Sequence, residues 1–350
     1  MKLKFPLEVK EMKKFLSIRI ILLICLLGTL VFLIGCTPPV SIHTGSISGT
    51  VKTPYPVEQI DFWPCAARVD VSSSGQFTVS SYSDGSYILN NVPVGQHTIT
   101  VFKHGFLTAQ KTVEVIEGEI TSDVDFTLES KVPLDQLGGT YTYYYGFNLD
   151  MTPFNSLKVR QAINYAIDKQ TLLDEVNTEF AVSHVVAQGP LPTDMIGYNS
   201  SLMGYSYDVS EAQELLSQAG YPEGFSTDLY YSIGDFHYFI AQKIQTYLAQ
   251  VGINAELHGM EWTELLGLVD QGELPFFRSS WGADTPDPTD YLYALYHSAS
   301  ISNDVHYNNT TIDNLIEQAW ETIDETEFIQ LIQQIESTIV DDAPAIYIYH

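Results

Sequence analysis

The rhythm of apolar and polar positions changes along the chain, and each rhythm predicts a different kind of element. Lys13, Lys14 and Arg19 precede an uncharged apolar run of 16 residues, Ile20 to Gly35. That is short for a helix spanning a bilayer, which takes about 20 residues, and suits an exported signal segment. From Ser46 onward, short β-rich runs (SISGTV, ARVDVSS, GQFTVSS, SYILNNV, HTITVFK, TAQKTVEVI, SDVDFTL) are separated by Gly, Pro and Asp-Gly. Strands of this length between such turns predict a small antiparallel β-sandwich over 46–129. Tyr87, Leu89, Val92, Ile99 and Val101 fall on its core face, and Asp84-Gly85 supplies the positive φ of a tight hairpin. His97 and His104 read as surface residues, because two histidines without a third ligand do not make a metal site.

Beyond 131 the period lengthens. YTYYYGFNL at 141–149 reads as a strand, and SLKVRQAINYAID then places Val159, Ala162, Ile163, Ala166 and Ile167 at helical spacing. DVSEAQELLSQAG carries both its start and its stop, with Asp208 as N-cap, Glu211 as capping-box partner and Gly220 past the end. Strand DLYYSI, a helix through IAQKIQTYLAQ, strand INAELH, a helix from Trp262 to Val269 and strand PFFRSSW follow. Helices near 288–297, 312–323 and 326–340 and a last strand AIYIY complete the pattern. Alternation of strand and helix predicts crossovers and a mainly parallel sheet. The expected fold is therefore multidomain, an all-β sandwich followed by an α/β lobe over 131–350.

Composition narrows the function. A chain of 350 residues with 45% hydrophobic and 17% charged positions can build about two packed domains. Its formal charge of −27 argues against nucleic acid or anionic headgroups as partners. Three cysteines, Cys25, Cys36 and Cys65, form no CxxC pair, which removes zinc ribbons, iron–sulfur clusters and a disulfide framework. HExxH, GxSxG, phosphate-loop and GxGxxG patterns are absent, so no enzyme, cofactor or metal is expected.

Leu33-Ile34-Gly35-Cys36 resembles a bacterial lipobox. That likeness implies that 1–35 is a signal peptide and that Cys36 is lipidated, with 36–45 as a linker. The remainder would then be anchored to the outer face of the cytoplasmic membrane, or to the periplasmic side in a two-membrane envelope; a plain apolar anchor with an incidental Cys36 is the alternative. The segment SDGSYILNNVPVGQHTITVFKHGF resembles the carboxypeptidase regulatory-like domain, an immunoglobulin-like module.

The phrases YYYGFNLDMTPFNSLKVRQAINYAIDKQTL, GPLPTDMIGYN, YDVSEAQELLSQAGYPEGF, IAQKIQTYLAQVGINAEL, FRSSWGADTPDP and DDAPAIYIY resemble, in order and spacing, the extracellular solute-binding proteins of family 5, the peptide-binding components of ABC importers. The resemblance covers 131–350 and implies a periplasmic-binding-protein-like lobe, one half of a two-lobed clamp. It further implies a small peptide or other solute as ligand and an ABC permease as partner. By the same likeness, Asp284 matches the acid that receives a peptide's α-ammonium, Trp281 a side-chain pocket wall, and Arg278 a cation that meets the peptide carboxylate. Tyr145 and Asn148 are expected near the cleft or hinge.

Other readings of these residues remain open at this point. Trp281 could pack in the core, Arg278 could sit in a surface ion pair, and Asp284 could cap the helix that follows. Asp284, Asp287 and Asp290 recur every three residues, but Pro286 and Pro288 favour a turn over a calcium loop. A second function also stands, a surface structural or adhesion module whose working part is the sandwich.

Overall fold

A computed structural model describes residues 43–53, 63–64, 66–72, 74–132 and 141–350. The signal-like segment 1–35, Cys36 and Cys65 lie outside the described residues, as does most of the linker 36–45. Among the described residues no helix is long and apolar enough to cross a membrane.

Nine strands come first: β1 (Thr44–Thr53), β2 (Trp63–Pro64), β3 (Arg68–Val71), β4 (Gln76–Val79), β5 (Ser86–Pro93), β6 (Gly95–Phe102), β7 (Ala109–Val115), β8 (Ile120–Thr121) and β9 (Phe126–Thr127). They form two sheets. One has β1 between β2 and β5 and also pairs β1 with β8 and β9; the other runs β4-β3-β6-β7. Both sheets share one apolar cluster in which Tyr87, Leu89, Val92, Ile99 and Val101 are all buried, as the alternation along β5 and β6 requires.

Three expectations are corrected here. The sandwich is not wholly antiparallel, since β8 and β9 run parallel to β1. Asp84-Gly85 does not close a hairpin, because β4 and β5 belong to different sheets. The turn carries the chain from one layer to the other, tied by Ser81 N donating to Ser86 O at 2.8 Å and Gly85 N to Ser81 O at 2.7 Å. Gly85 has φ +70°, and a Cβ there would lie 2.2 Å from Val51 O, so both the backbone angle and the space demand glycine. Finally, His97 and His104 are buried; each ring finds a backbone carbonyl, of Pro93 and Thr322 respectively.

The α/β part has a five-stranded sheet in the order β12-β11-β13-β10-β14, with β10 (Tyr141–Phe147), β11 (Ser226–Ser232), β12 (Asn254–Met260), β13 (Phe276–Gly282) and β14 (Ala345–Tyr349). Eight helices follow in chain order: α1 (Leu157–Tyr165), α2 (Lys169–Phe180), α3 (Val209–Gln218), α4 (Asp235–Ala249), α5 (Trp262–Asp270), α6 (Pro288–Tyr296), α7 (Thr310–Glu321) and α8 (Glu325–Asp342). The sheet is mixed, which corrects the expectation of a mainly parallel one. β11 is parallel to β12 and β13, whereas β10 is antiparallel to β13 and to β14. Periodicity reveals that an element is a strand but not which way it enters the sheet.

Local signals hold well. Asp208 Oδ1 accepts from Ser210 N and Glu211 N at 2.9 and 3.0 Å, and Gly220 adopts φ +93° beyond α3; the expected capping-box role of Glu211 is corrected, because Asp208 N donates to Tyr165 O at 2.9 Å instead. Helix α2 is an addition to the sequence reading. Asp168 caps it, accepting from Thr171 N at 3.0 Å, and Leu172, Leu173 and Val176 point inward.

Alternation along the central strands divides the core in two. Tyr143, Tyr145, Phe147, Phe276, Ile346 and Ile348 pack on one face against α1 to α4. Tyr144, Phe277, Ala345 and Tyr347 pack on the other against α5 to α8. Residues 44–350 make one compact unit, and the sandwich meets the lobe beside α6. Lys103, its side chain 1% exposed, bridges Asp287 Oδ2 at 2.9 Å and Asp290 Oδ1 at 3.0 Å and also donates to Ala66 O at 3.1 Å. Arg68 Nη1 donates to Glu321 O at 2.7 Å, and the His104 ring stacks on Phe328 at 3.6 Å. Gly105, at φ +80°, lies so close to Pro286 that a Cβ would come within 2.7 Å of its ring.

Candidate functional site

The site grows out of the last residues of β13. Side chains three apart on a strand face opposite sides, so Arg278 and Trp281 are separated by the sheet itself. Trp281 lies on the α5 to α8 side, and the chain then leaves the strand at Gly282 and runs through Asp284 to α6. The cap of α6 is Asp287, whose Oδ1 accepts from Thr289 N at 2.8 Å; the reading of Asp284 as the cap is thereby corrected. Asp287 and Asp290 are the pair that holds Lys103. Burial pushes the Asp290 carboxyl up against the opposing pull of the Lys103 ammonium.

Trp281 and Asp284 meet at a cavity of about 490 Å³. Tyr291, Tyr293 and Ala294 of α6 and Ala299 to Ser302 line it as well. Tyr291 Oη donates to Trp281 O at 3.3 Å, which fixes the end of the strand to the helix. Tyr82 and Ser83, from the sandwich turn before β5, line the same cavity. Apolar and aromatic walls with a single cluster of acids make a place for a small ligand that carries a positive end beside an apolar body.

The other expected site residues lie elsewhere. Arg278 is 8% exposed and caged between aromatic rings, its guanidinium 4.8 Å from the Tyr143 ring centre and 4.5 Å from that of Trp262. Its Nη2 reaches Ser280 Oγ at 3.5 Å, and its Nε has no hydrogen-bond partner among the described residues. Neither a surface ion pair nor a place in the cavity describes it. His237, which hydrogen-bonds Tyr143 Oη through Nδ1 at 3.0 Å, has its pKa lowered to about 4 by burial and by the Arg278 charge. Tyr145 is fully buried in the α1 to α4 core. Asn148 ties two turns together, donating through Nδ2 to Gly272 O at 3.0 Å and accepting from Asp150 N at 3.1 Å. Both were expected at the cleft, and both are held in the frame by packing or by backbone partners.

Tyr82 and Ser83 went unnoticed in the sequence because they sit more than 190 positions before Trp281. The only local signal was a Tyr next to a turn, which any sandwich contains. A second, more polar pocket of about 330 Å³ is lined by Asp150, Asp270, Asp304 and His306. Burial, with Asp270 adding to it, lifts the Asp304 carboxyl to about 7. Asp228, Glu256 and His258 gather on the β11–β12 surface, where His258 Nε2 bonds Asp228 Oδ1 at 2.9 Å.

Comparison with known proteins adds what the geometry alone lacks. The profile of bacterial extracellular solute-binding proteins, family 5 Middle, matches residues 109–303. Heme-binding protein A of Haemophilus influenzae is 31% identical over 229 residues, covering 63% of this chain and 41% of that protein. The dipeptide-binding protein of Escherichia coli is 30% identical over 230 residues, covering 63% of this chain and 42% of its own length. The chain thus spans about two-fifths of the length of these relatives. Among solved structures, the periplasmic binding protein DppA of Helicobacter pylori in complex with the peptide STSA superposes with a TM-score of 0.57 at 23% identity, over 73% of this chain and 55% of that one. At that identity the likeness concerns the fold alone.

Proposed function

The chain belongs to the bacterial extracellular solute-binding proteins of family 5, and we propose that it captures a small peptide or similar cationic solute for an ABC permease. Solute-binding proteins of this family are transport components rather than enzymes. In this reading the protein is held at the membrane by lipid on Cys36, with a carboxypeptidase regulatory-like, immunoglobulin-like sandwich (46–129) preceding the binding lobe (131–350).

One observation carries the proposal: Asp284 and Trp281 line one cavity of small-molecule size. A partly desolvated ammonium needs a charged acceptor, because removing it from water without one costs several kcal/mol. Asp284 supplies the carboxylate. Trp281 offers a flat apolar face for the neighbouring side chain and, to a cation, the negative face of its ring. The chain's formal charge of −27 draws cationic ends toward the surface and does nothing for anions. Relatives named for a dipeptide and for heme support a binding role and leave open several ligand shapes.

Calorimetric titration of the purified chain with di- to pentapeptides tests the reading. Binding that weakens at least tenfold on N-acetylation of the peptide is expected. No heat from any free-amine peptide at millimolar concentration sinks the receptor role and favours a structural role for the sandwich.

A further inference from the structure

The geometry points to the sandwich turn bearing Tyr82 and Ser83 as the second jaw of the Asp284 cavity, packing against the apolar side chain next to the captured amine. This rests on the receptor reading given above and extends it, since it assigns ligand contact to a part of the chain outside the binding lobe.

Tyr82 is placed for that task. It lines the cavity together with Trp281 and Asp284. Its ring lies 3.9 Å from that of Tyr293 and 6.0 Å from that of Trp320, and its Oη donates to Asp290 O at 3.5 Å. The turn under it is tied by Ser81 N to Ser86 O, by Gly85 N to Ser81 O, and by Ser86 N donating to Asp84 Oδ1 at 2.9 Å. The layer behind the turn is fixed to the lobe by Lys103 between Asp287 and Asp290 and by Arg68 on Glu321 O. The wall is therefore built before any ligand arrives, and a preorganised wall spares the entropy of ordering it on binding.

The arrangement also narrows the ligand. Aromatic rings stand on the sandwich side and on the lobe side of one cavity, and the carboxylates belong to the lobe. No lysine, arginine or histidine is among the described residues that line it. A free amine with an apolar neighbour fits, and the described lining offers a ligand carboxylate no basic side chain. Short peptides with an apolar first residue are the class that meets both conditions.

The test uses the full chain and leucyl-alanine. Titration of the parent protein, Asp284→Asn, Tyr82→Ala and Tyr82→Phe is paired with hydrogen–deuterium exchange of the parent with and without the dipeptide. We expect affinity to fall at least tenfold in both Asp284→Asn and Tyr82→Ala and to stay within threefold in Tyr82→Phe. Ligand should raise protection at 80–86 together with 281–285. The exchange measurement needs no substitution, so it decides the matter even if Tyr82→Ala fails to fold. Loss of binding in Asp284→Asn with unchanged affinity in folded Tyr82→Ala, or protection confined to 281–285, overturns the jaw and leaves the receptor standing. Failure of leucyl-alanine to bind the parent at all at millimolar concentration removes the jaw, and the receptor reading falls with it only if no free-amine peptide binds.

Discussion

The two faces of the central sheet treat charge in opposite ways. Arg278, on the α1 to α4 face of β13, is held between Tyr143 of that core and Trp262 at the start of α5, which packs with the opposite core, with no carboxylate ion-paired to it among the described residues. On the α5 to α8 face, Lys103 reaches across from another layer and is met by two carboxylates, and a cavity opens beside them. One face closes over its cation, while the other spends its cation on joining two layers and keeps an acid at a cavity wall. A strand that is buried on both sides can serve both ends, because its alternate side chains share no environment.

Removing each cation in turn separates the two faces most sharply. Lys103→Met leaves Asp287 and Asp290 facing each other in a buried site, and a broken buried pair costs about 3–5 kcal/mol. The denaturant midpoint should fall accordingly. Arg278→Met strands no ion-paired carboxylate, and a well-packed apolar replacement of a buried cation is often close to neutral, so a shift within about 1 kcal/mol is expected. Equal losses in the two variants would erase the distinction.

Next comes pH. Glu336 of α8 is fully buried on the α5 to α8 side, with Oε1 accepting from Leu191 N at 3.3 Å and Oε2 unpartnered among the described residues. Burial raises it from 4.5 to about 7. The folded state therefore keeps a proton that the unfolded chain has already released, and the contribution of this group to stability falls as pH rises from about 4.5 to about 7, then levels off. That loss is on the order of 3 kcal/mol; Asp304 acts in the same direction, while His237 and His350, both lowered to about 4, act in the opposite one. Relative to the parent, the thermal midpoint of Glu336→Gln should rise across that range; an unchanged difference would show that another group titrates.

Smaller effects concern ligand. Arg278→Met should leave leucyl-alanine affinity within threefold, against the tenfold loss expected for Asp284→Asn, as read by titration. The smallest change is expected from amidating the dipeptide's carboxyl end, again within threefold, because the described lining holds no basic side chain. A strong dependence on either would move the ligand's acid end to the caged arginine.

Much of this molecule was legible from its residues. Helix α3 announced both ends through Asp208 and Gly220, and the core face of β5 and β6 followed from alternation alone. Trp281 and Asp284, singled out by a continuous motif where a strand ends, do line one cavity. What stayed hidden depends on contacts between distant segments. Strand direction at β10 is settled by pairing with β13 and β14, and the burial of His104 by a layer that arrives 218 residues later. Arg278 lies apart from that cavity for a simpler reason: an odd step of three along a strand turns a side chain to the far side.

The buried ammonium of Lys103 also governs timing. Prising the sandwich off the lobe would require two carboxylates and their cation to part in a dry interface, an opening as infrequent as sub-global unfolding. The sandwich and lobe walls of the cavity therefore stay joined on any timescale shorter than such an opening.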